Sequence, residues 1–200
     1  MKNKNFCAFI LSHGRADNVI TVKSLKKCGY DGRIIIVIDD EDQTANKYYN
    51  NFDDVMMFSK KEIAKKFDQF DNFDDRRSIV YARNACFEIA KKLNIKYFIQ
   101  LDDDYKDFEY RYVLGDKLKY KQVHNLNYVF DKLINFMSKT SITSIALSQG
   151  GDFIGGSQNK FAKNGGLKRK AMNSFICSID RPFKFSGKIN EDVNTYLNLG

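Results

Sequence analysis

The chain has no run of ~18 apolar residues, so nothing in its sequence is built to span a membrane as a helix. Its start, MKNKNFCAFILSHGR, has a basic beginning and a short apolar run. A long hydrophobic region and a small-residue cleavage site are both missing, so this segment reads as a first strand and not as a signal peptide. Cysteine is sparse: Cys7, Cys28, Cys86 and Cys177 lie far apart with no CxxC spacing. That argues against zinc and reads as small buried hydrophobes in a reducing compartment. There is one proline, no tryptophan, no repeat and no low-complexity linker. One continuous domain over residues 1–200 is expected, in a cytoplasmic protein with no membrane partner.

The hydrophobic fraction, 43%, is enough for a real core. The formal net charge of +8 favours polyanionic partners such as nucleic acid. Charge does not identify one, because a Lys- and Asn-rich composition also follows from an AT-rich genome.

Strand-like and helix-like stretches alternate. Phe6 to Leu11 is a short apolar run ending in the polar turn SHGRADN. Asn18 reads as a cap for a helix to about Cys28, which Gly29 ends. Arg33 to Ile38, RIIIVI, is a continuous β-branched run that suits a strand buried on both faces. Asp39, Asp40, Glu41 and Asp42 follow it. A helix near Gln43–Asn50, a strand at Val55–Ser59 and a helix at Lys60–Lys66 come next, then a polar, aromatic loop over Phe67–Asp75. Arg76 to Leu93 repeats apolar residues at helical steps. Tyr97 to Leu101 and Phe108 to Leu114 read as strands, with a turn at Gly115-Asp116. His124 to Met137 is an amphipathic helix. Strands at Ser144–Leu147 and Lys168–Ile179 and a helix at Glu191–Leu199 complete the reading. This order argues an α/β domain with a mostly parallel sheet. Ligands of such sheets bind beyond the carboxyl ends of the strands, where SHGR, DDED, DDDY and QGGD all fall.

The segment YFIQLDDDY is the most informative. A strand that buries Phe98, Ile99 and Leu101 cannot carry Asp102, Asp103 and Asp104 into the core, because an unpaired buried carboxylate costs several kcal/mol or more. The acids must sit where the strand leaves the sheet. There they repel one another unless a cation holds them, and Mg²⁺ or Mn²⁺ bridging to a phosphate suits hard oxygen ligands. A solvated acidic turn is the alternative.

In order, ILSHGR, VIDDED, YARNACFEIAKKL, LDDDY, QGGDFIGG, RKAMNSFIC and INEDVN resemble a nucleotide-sugar glycosyltransferase of the GT-A type. More narrowly, the chain is similar to the TET-associated glycosyltransferase family of bacteriophages, from Phe6 to Asn194. The resemblance implies a GT-A-like (Rossmann-like) α/β fold with a DxD motif at a strand end. It also implies a Mn²⁺ or Mg²⁺ ion, a nucleotide-sugar donor, here read as a UDP-sugar, and a hydroxymethylated base in phage DNA as acceptor. A phage-encoded protein would act in the bacterial host cytoplasm.

On this pattern Asp104 takes the metal role, and Asp102 takes the ribose and is the second metal candidate. Asp103 approaches the donor sugar. Ser12, His13, Gly14 and Arg15 lie against the nucleotide: Gly14 permits a close backbone approach and Arg15 can pair with phosphate. Asp39 and Asp40 fall where this fold contacts base or ribose. Arg76, Arg77 and Arg83 lie on or beside one helix, facing donor diphosphate or base, with Asn84 next to the sugar; pairing of these arginines with Asp74 and Asp75 competes. Gly150, Gly151 and Asp152 read as a loop over the donor, against a plain hairpin turn. Asp192 is assigned as the base that deprotonates the acceptor hydroxyl, with Glu191 as its partner. Acids opening a helix are the competing reading. Lys160, Lys163, Lys168, Arg169 and Lys170, flanked by Phe153 and Phe161, could meet DNA phosphates and an exposed base, or form a basic solvated loop.

The chain departs from the pattern in one respect. Many GT-A enzymes place a third metal ligand, often His, near the C-terminus, and the histidines here are His13 and His124. Either water and diphosphate oxygens complete the metal, or the sequence is short for the family or truncated. Other classes stay open: sugar transfer to a polysaccharide, lipid or protein, and a DNA-binding module without catalysis. A nucleotidyltransferase is a poor fit to SHGRADN.

Overall fold

A computed structural model describes residues 5–159, 162 and 172–199. The first strand, β1 (Phe6–Leu11), is buried along its whole length. Its residues alternate between two apolar layers, so both faces of the strand are covered. Ala8 and Ile10 join one core; Cys7, Phe9 and Leu11 join the other. Parallel neighbours flank it: β2 (Arg33–Asp39) on one side and β4 (Tyr97–Asp102) on the other. β3 (Val55–Phe58) extends the sheet beyond β2. Beyond β4 the direction reverses, with β8 (Phe175–Ser178) antiparallel to β4 and a short β7 (Ser144–Ile145) antiparallel to β8. The six-stranded order is β3-β2-β1-β4-β8-β7. A separate two-stranded ribbon, β5 (Glu109–Leu114) and β6 (Lys117–Gln122), leaves the chain just after the acidic triplet.

Helices cover both faces. On one side Leu25 of α1 (Ile20–Lys27), Tyr48 of α2 (Ala45–Asn51), and Phe130, Ile134 and Met137 of α5 (Leu126–Lys139) pack over Ala8, Ile36, Ile99 and Leu101. On the other, Ile63 of α3 (Lys60–Ala64) and Val80, Tyr81, Cys86 and Ile89 of α4 (Val80–Lys92) pack over Phe9, Ile35, Val37 and Phe98. The last helix, α6 (Glu191–Leu199), follows Asn190. Gly29 ends α1 with φ of 82°, and a Cβ there would meet the His124 carbonyl oxygen at 2.2 Å, so the close approach of α1 to the start of α5 needs glycine. All four cysteines are buried free thiols. Among the described residues no helix is long and apolar enough to cross a membrane.

Several local expectations are corrected. Asn18 does not cap α1, which starts at Ile20 with no side-chain cap; the orphan N–H of Thr21 is taken by the Asp103 carbonyl at 3.1 Å. Helix α4 starts at Val80 and not at Arg76, so Arg76 and Arg83 share no helix face. The cause is local: Asp75 accepts from the Arg77 backbone N–H and guanidinium, and Asp74 pairs with Arg76, which holds the chain out of helix. Strand β6 is additional. The strand expected over Lys168–Ile179 contracts to Phe175–Ser178, and residues 168–171 lie outside the described ones.

Candidate active site

Four strand ends meet. The segments leaving β1, β2, β3 and β4 line one cavity of about 510 Å³, together with Ser78, Ile79 and Ala82 around the start of α4. Of the residues singled out in the sequence, Ser12, His13, Arg15, Asp39, Arg77, Asp102, Asp103 and Asp104 line it.

The triplet divides by environment. Asp103 is buried and both its oxygens are engaged: Oδ2 accepts from Ser12 Oγ at 2.6 Å and Oδ1 from Arg15 Nη1 at 3.1 Å. Tyr48 joins the same cluster, its hydroxyl 2.8 Å from Ser12 Oγ and accepting the Arg15 N–H at 2.8 Å. The middle acid therefore holds the SHGR turn. The guanidinium of Arg15 stays more than half exposed on the cavity side. Thr21 clamps the turn from behind. Its Oγ1 donates to the Asp102 carbonyl at 2.6 Å and accepts the Tyr105 N–H at 2.9 Å. Asp104 is exposed and has no partner among the described residues. Asp102 lies between these extremes. Burial pushes its carboxyl up to about 6, Arg83 opposes that, and Asp104, Glu191 and Asp103 add to it.

The carboxylates of Asp102 and Asp104 are hard oxygen donors, the type a divalent cation takes. Asp102 and Asp104 present carboxylates at the cavity, Asp104 without a partner among the described residues and Asp102 paired with Arg83. No group of three or more His, Cys, Asp or Glu forms a ready cage among the described residues.

The opposite wall is polar and paired. Asp39 is buried; its Oδ2 meets His13 Nδ1 at 2.8 Å and its Oδ1 meets Lys60 Nζ at 3.1 Å. Asp42 accepts from the Gly14 N–H at 2.7 Å and from the Thr44 N–H and hydroxyl, both at 2.7 Å. Burial alone would raise the Asp42 carboxyl; these donors outweigh it and hold it below the usual range. Gly14 takes φ of 70°, which turns its N–H toward Asp42 at little steric cost.

A family model, TET-Associated Glycosyltransferase, matches residues 6–200. The chain belongs to that family. No curated protein matches it. Membership makes the cavity a candidate sugar-transfer site, and on that footing the remaining sequence assignments can be placed.

Some residues expected to meet the donor lie outside the cavity lining and bond within the fold. Arg83 does not open on the cavity. It is buried between the rings of Phe175 and Phe185, donating from Nε to Glu191 at 3.0 Å, from Nη1 to the Asn173 carbonyl at 3.1 Å and from Nη2 to Asp102 at 3.3 Å. Asn84 bridges the Val80 and Phe185 backbones. Asp40 accepts the first N–H of α3, from Lys60, at 2.9 Å and is outside the cavity lining. Arg76 pairs with Glu41 at 2.6 Å. Arg77 lines the cavity with a largely exposed side chain beside Asp75.

Gly150, Gly151 and Asp152 form a 3-10 turn in which Asp152 Oδ2 accepts the Gln149 N–H at 2.9 Å. Gly150 lines a second cavity of about 460 Å³ with Tyr105, Phe108, Arg111, Gln149 and Phe153. Glu191 and Asp192 open α6, both buried; Glu191 reaches Asp102 through Arg83, and neither lines the first cavity. Lys160, Phe161, Lys163, Lys168, Arg169 and Lys170 lie outside the described residues.

The sequence reading missed Lys60, Thr21 and Tyr48. For Lys60 a signal existed: a lysine opening a helix directly after a strand opposes the helix dipole and needs a compensating acid, which Asp39 supplies. Thr21 and Tyr48 lie on ordinary helical faces and gave none.

Proposed function

We propose that this protein transfers a sugar from a nucleotide-sugar donor, a UDP-sugar, to a hydroxymethylated pyrimidine in DNA, with Mn²⁺ or Mg²⁺ at a GT-A-type DxD. The convergence of four strand ends on one cavity, with Asp102 and Asp104 at its wall, carries this reading. In it, Asp104 and Asp102 would hold the ion, which when bound would supply positive charge to the diphosphate.

The chain's own groups do the rest. Arg15 and Arg77 offer planar donors to phosphate oxygens. Asp39, fixed by His13 and Lys60, accepts from the nucleoside. Leu11, Phe58, Ile79 and Ala82 give a ring an apolar wall. In the reaction the acceptor oxygen bonds to the anomeric carbon and the bond from that carbon to the diphosphate breaks. The hydroxyl proton passes to a base and the nucleoside diphosphate leaves; Asp192, the assigned base, opens α6 outside the cavity lining with Glu191 held by Arg83, so the role requires the acceptor hydroxyl to reach the head of α6.

The test is incubation with UDP-sugars, Mn²⁺ and DNA carrying hydroxymethylcytosine, with plain DNA, a polysaccharide, a lipid and a protein as competing acceptors. A mass increase confined to the modified base is expected. Absence of any nucleotide-sugar binding by intact protein with metal would overturn the reading, and transfer to another acceptor would overturn its second half.

A further inference from the structure

The β5–β6 ribbon has two unlike faces. Directly paired residues share a face, so the register Tyr110↔Lys121, Tyr112↔Lys119 and Leu114↔Lys117 sets these six side chains together. All are exposed, Tyr110 by 48%, Tyr112 by 44% and Leu114 by 64%. The three lysines have no ion-pair partner among the described residues, and the face carries no acid. The other face holds Arg111, paired with Glu109 at 2.6 Å and set over the rings of Tyr120 and Phe153. Ser157 also donates to the Asp116 carbonyl at the ribbon's tip. That face touches the segment following β7 through Arg111 and Phe153, although its Tyr120 is 66% exposed, and the Tyr–Lys face is turned to solvent.

The ribbon is tied to the acidic triplet. Phe108 is buried and stacks on Tyr105 with ring centroids 6.0 Å apart, and the Val123 N–H returns to the Phe108 carbonyl at 2.9 Å. Lysines on an exposed strand also deter edge pairing, and that alone would account for the charge. It does not account for two tyrosines and a leucine held out beside them.

We propose that the Tyr110/Tyr112/Leu114–Lys117/Lys119/Lys121 face is a docking surface for a nucleic-acid strand with open bases. Same-face lysines on a strand repeat every ~6.6–6.8 Å, which sets a row of positive charge along β6 for a phosphate backbone. The tyrosines beside them offer π-faces to unstacked bases at any sequence. Enzymes that do chemistry on a base commonly act on single-stranded or extruded nucleotides, so the surface deepens the DNA-acceptor reading above and takes its acceptor class from it.

Binding of a fluorescent single-stranded oligonucleotide and of the matching duplex, measured over a range of salt with no donor or metal present, tests the surface. Lys117→Gln/Lys119→Gln/Lys121→Gln should lower the single-strand salt slope by about two, since each phosphate contact contributes roughly 0.7. Tyr110→Ala/Tyr112→Ala should weaken single-strand binding about tenfold or more and duplex binding much less, while Tyr110→Phe/Tyr112→Phe retains it. Unchanged affinity and slope in the lysine variant, or an equal loss from Lys91→Gln/Lys92→Gln on α4, would overturn the proposal. Sugar transfer to DNA that survives all the ribbon variants with unchanged KM also overturns it and leaves the proposed reaction standing. Ribbon-dependent binding with no transfer to any DNA leaves the surface standing and removes the reaction.

Discussion

Arg83 Nε donates to Glu191 Oε1 at 3.0 Å, joining residues 108 positions apart. The same guanidinium reaches Asp102 through Nη2. One buried cation thus fixes the end of β4 and the first turn of α6 together. A change at either carboxylate is felt at the other through the arginine.

Replacing Arg83 with Met should leave two carboxylates beside an apolar space lined by Phe175 and Phe185. A loss of about 3–5 kcal/mol is expected, the range for breaking a buried pair from one side. Urea denaturation measures it. Arg83→Lys keeps the charge but not the three directed contacts, and should fall between Met and the unaltered protein.

Asp104 and Asp103 should behave oppositely despite being adjacent. Asp104→Asn removes an exposed, unpaired carboxylate, so stability should stay within about 0.5 kcal/mol. Calorimetric titration of UDP with Mn²⁺ should lose its metal-dependent part. Asp103→Asn weakens the bonds to Ser12 and Arg15 and should cost about 1–3 kcal/mol. Asn binding UDP and Mn²⁺ normally at position 104 would remove that residue from the site.

Lys60→Met should strand the buried Asp39 with His13 as its remaining side-chain partner. Asp39→Asn should strand Lys60 in turn. The double variant should lose less than the sum of the two, with a coupling of about 0.5–3 kcal/mol in thermal unfolding. Additive losses would mean that the Lys60–Asp39 pair is not an energetic unit.

The hydrogen bonds from Gly14 and Thr44 give the Asp42 carboxyl a lower pKa in the folded chain than in the unfolded one. A depressed folded value stabilises above the unfolded value of about 3.9 and is lost as pH falls through the folded one. The stability difference between the unaltered protein and Asp42→Asn should therefore be level above about pH 5 and shrink below about pH 4. A difference that grows on acidification would contradict this assignment.

The long parallel strands were legible because FCAFIL and RIIIVI are apolar without alternation, the mark of a strand covered on both faces. Gly29 and the amphipathic α5 were legible for similarly local reasons. The ribbon was half read: Leu118 and Tyr120 alternate with lysines in β6, but no core face selects that period, so the signal is weak. The roles of Arg83, Asp40 and Asp152 were not legible. An acid or arginine at an element's end can face a ligand or satisfy the protein's own groups, and only the partner's position decides. For Arg83 that partner lies in α6; for Asp40 and Asp152 it is a nearby backbone N–H. The split within the acidic triplet was hidden for the same reason, since Ser12 and Tyr48 come from distant elements.

The strand order also has a consequence in time. Strand β1 precedes its sheet partners in the chain and lies inside the sheet, yet one of its two neighbours begins only at Tyr97, and that neighbour in turn awaits Phe175. Until Tyr97 to Asp102 emerge, Ala8, Phe9 and Ile10 have an open backbone edge and incomplete apolar cover. Non-local parallel pairing is slow, and unpaired strand edges invite association between chains. Slowing translation before Tyr97 to Asp102 emerge should therefore lower the yield of folded protein more than slowing it afterwards, a difference measurable in coupled synthesis.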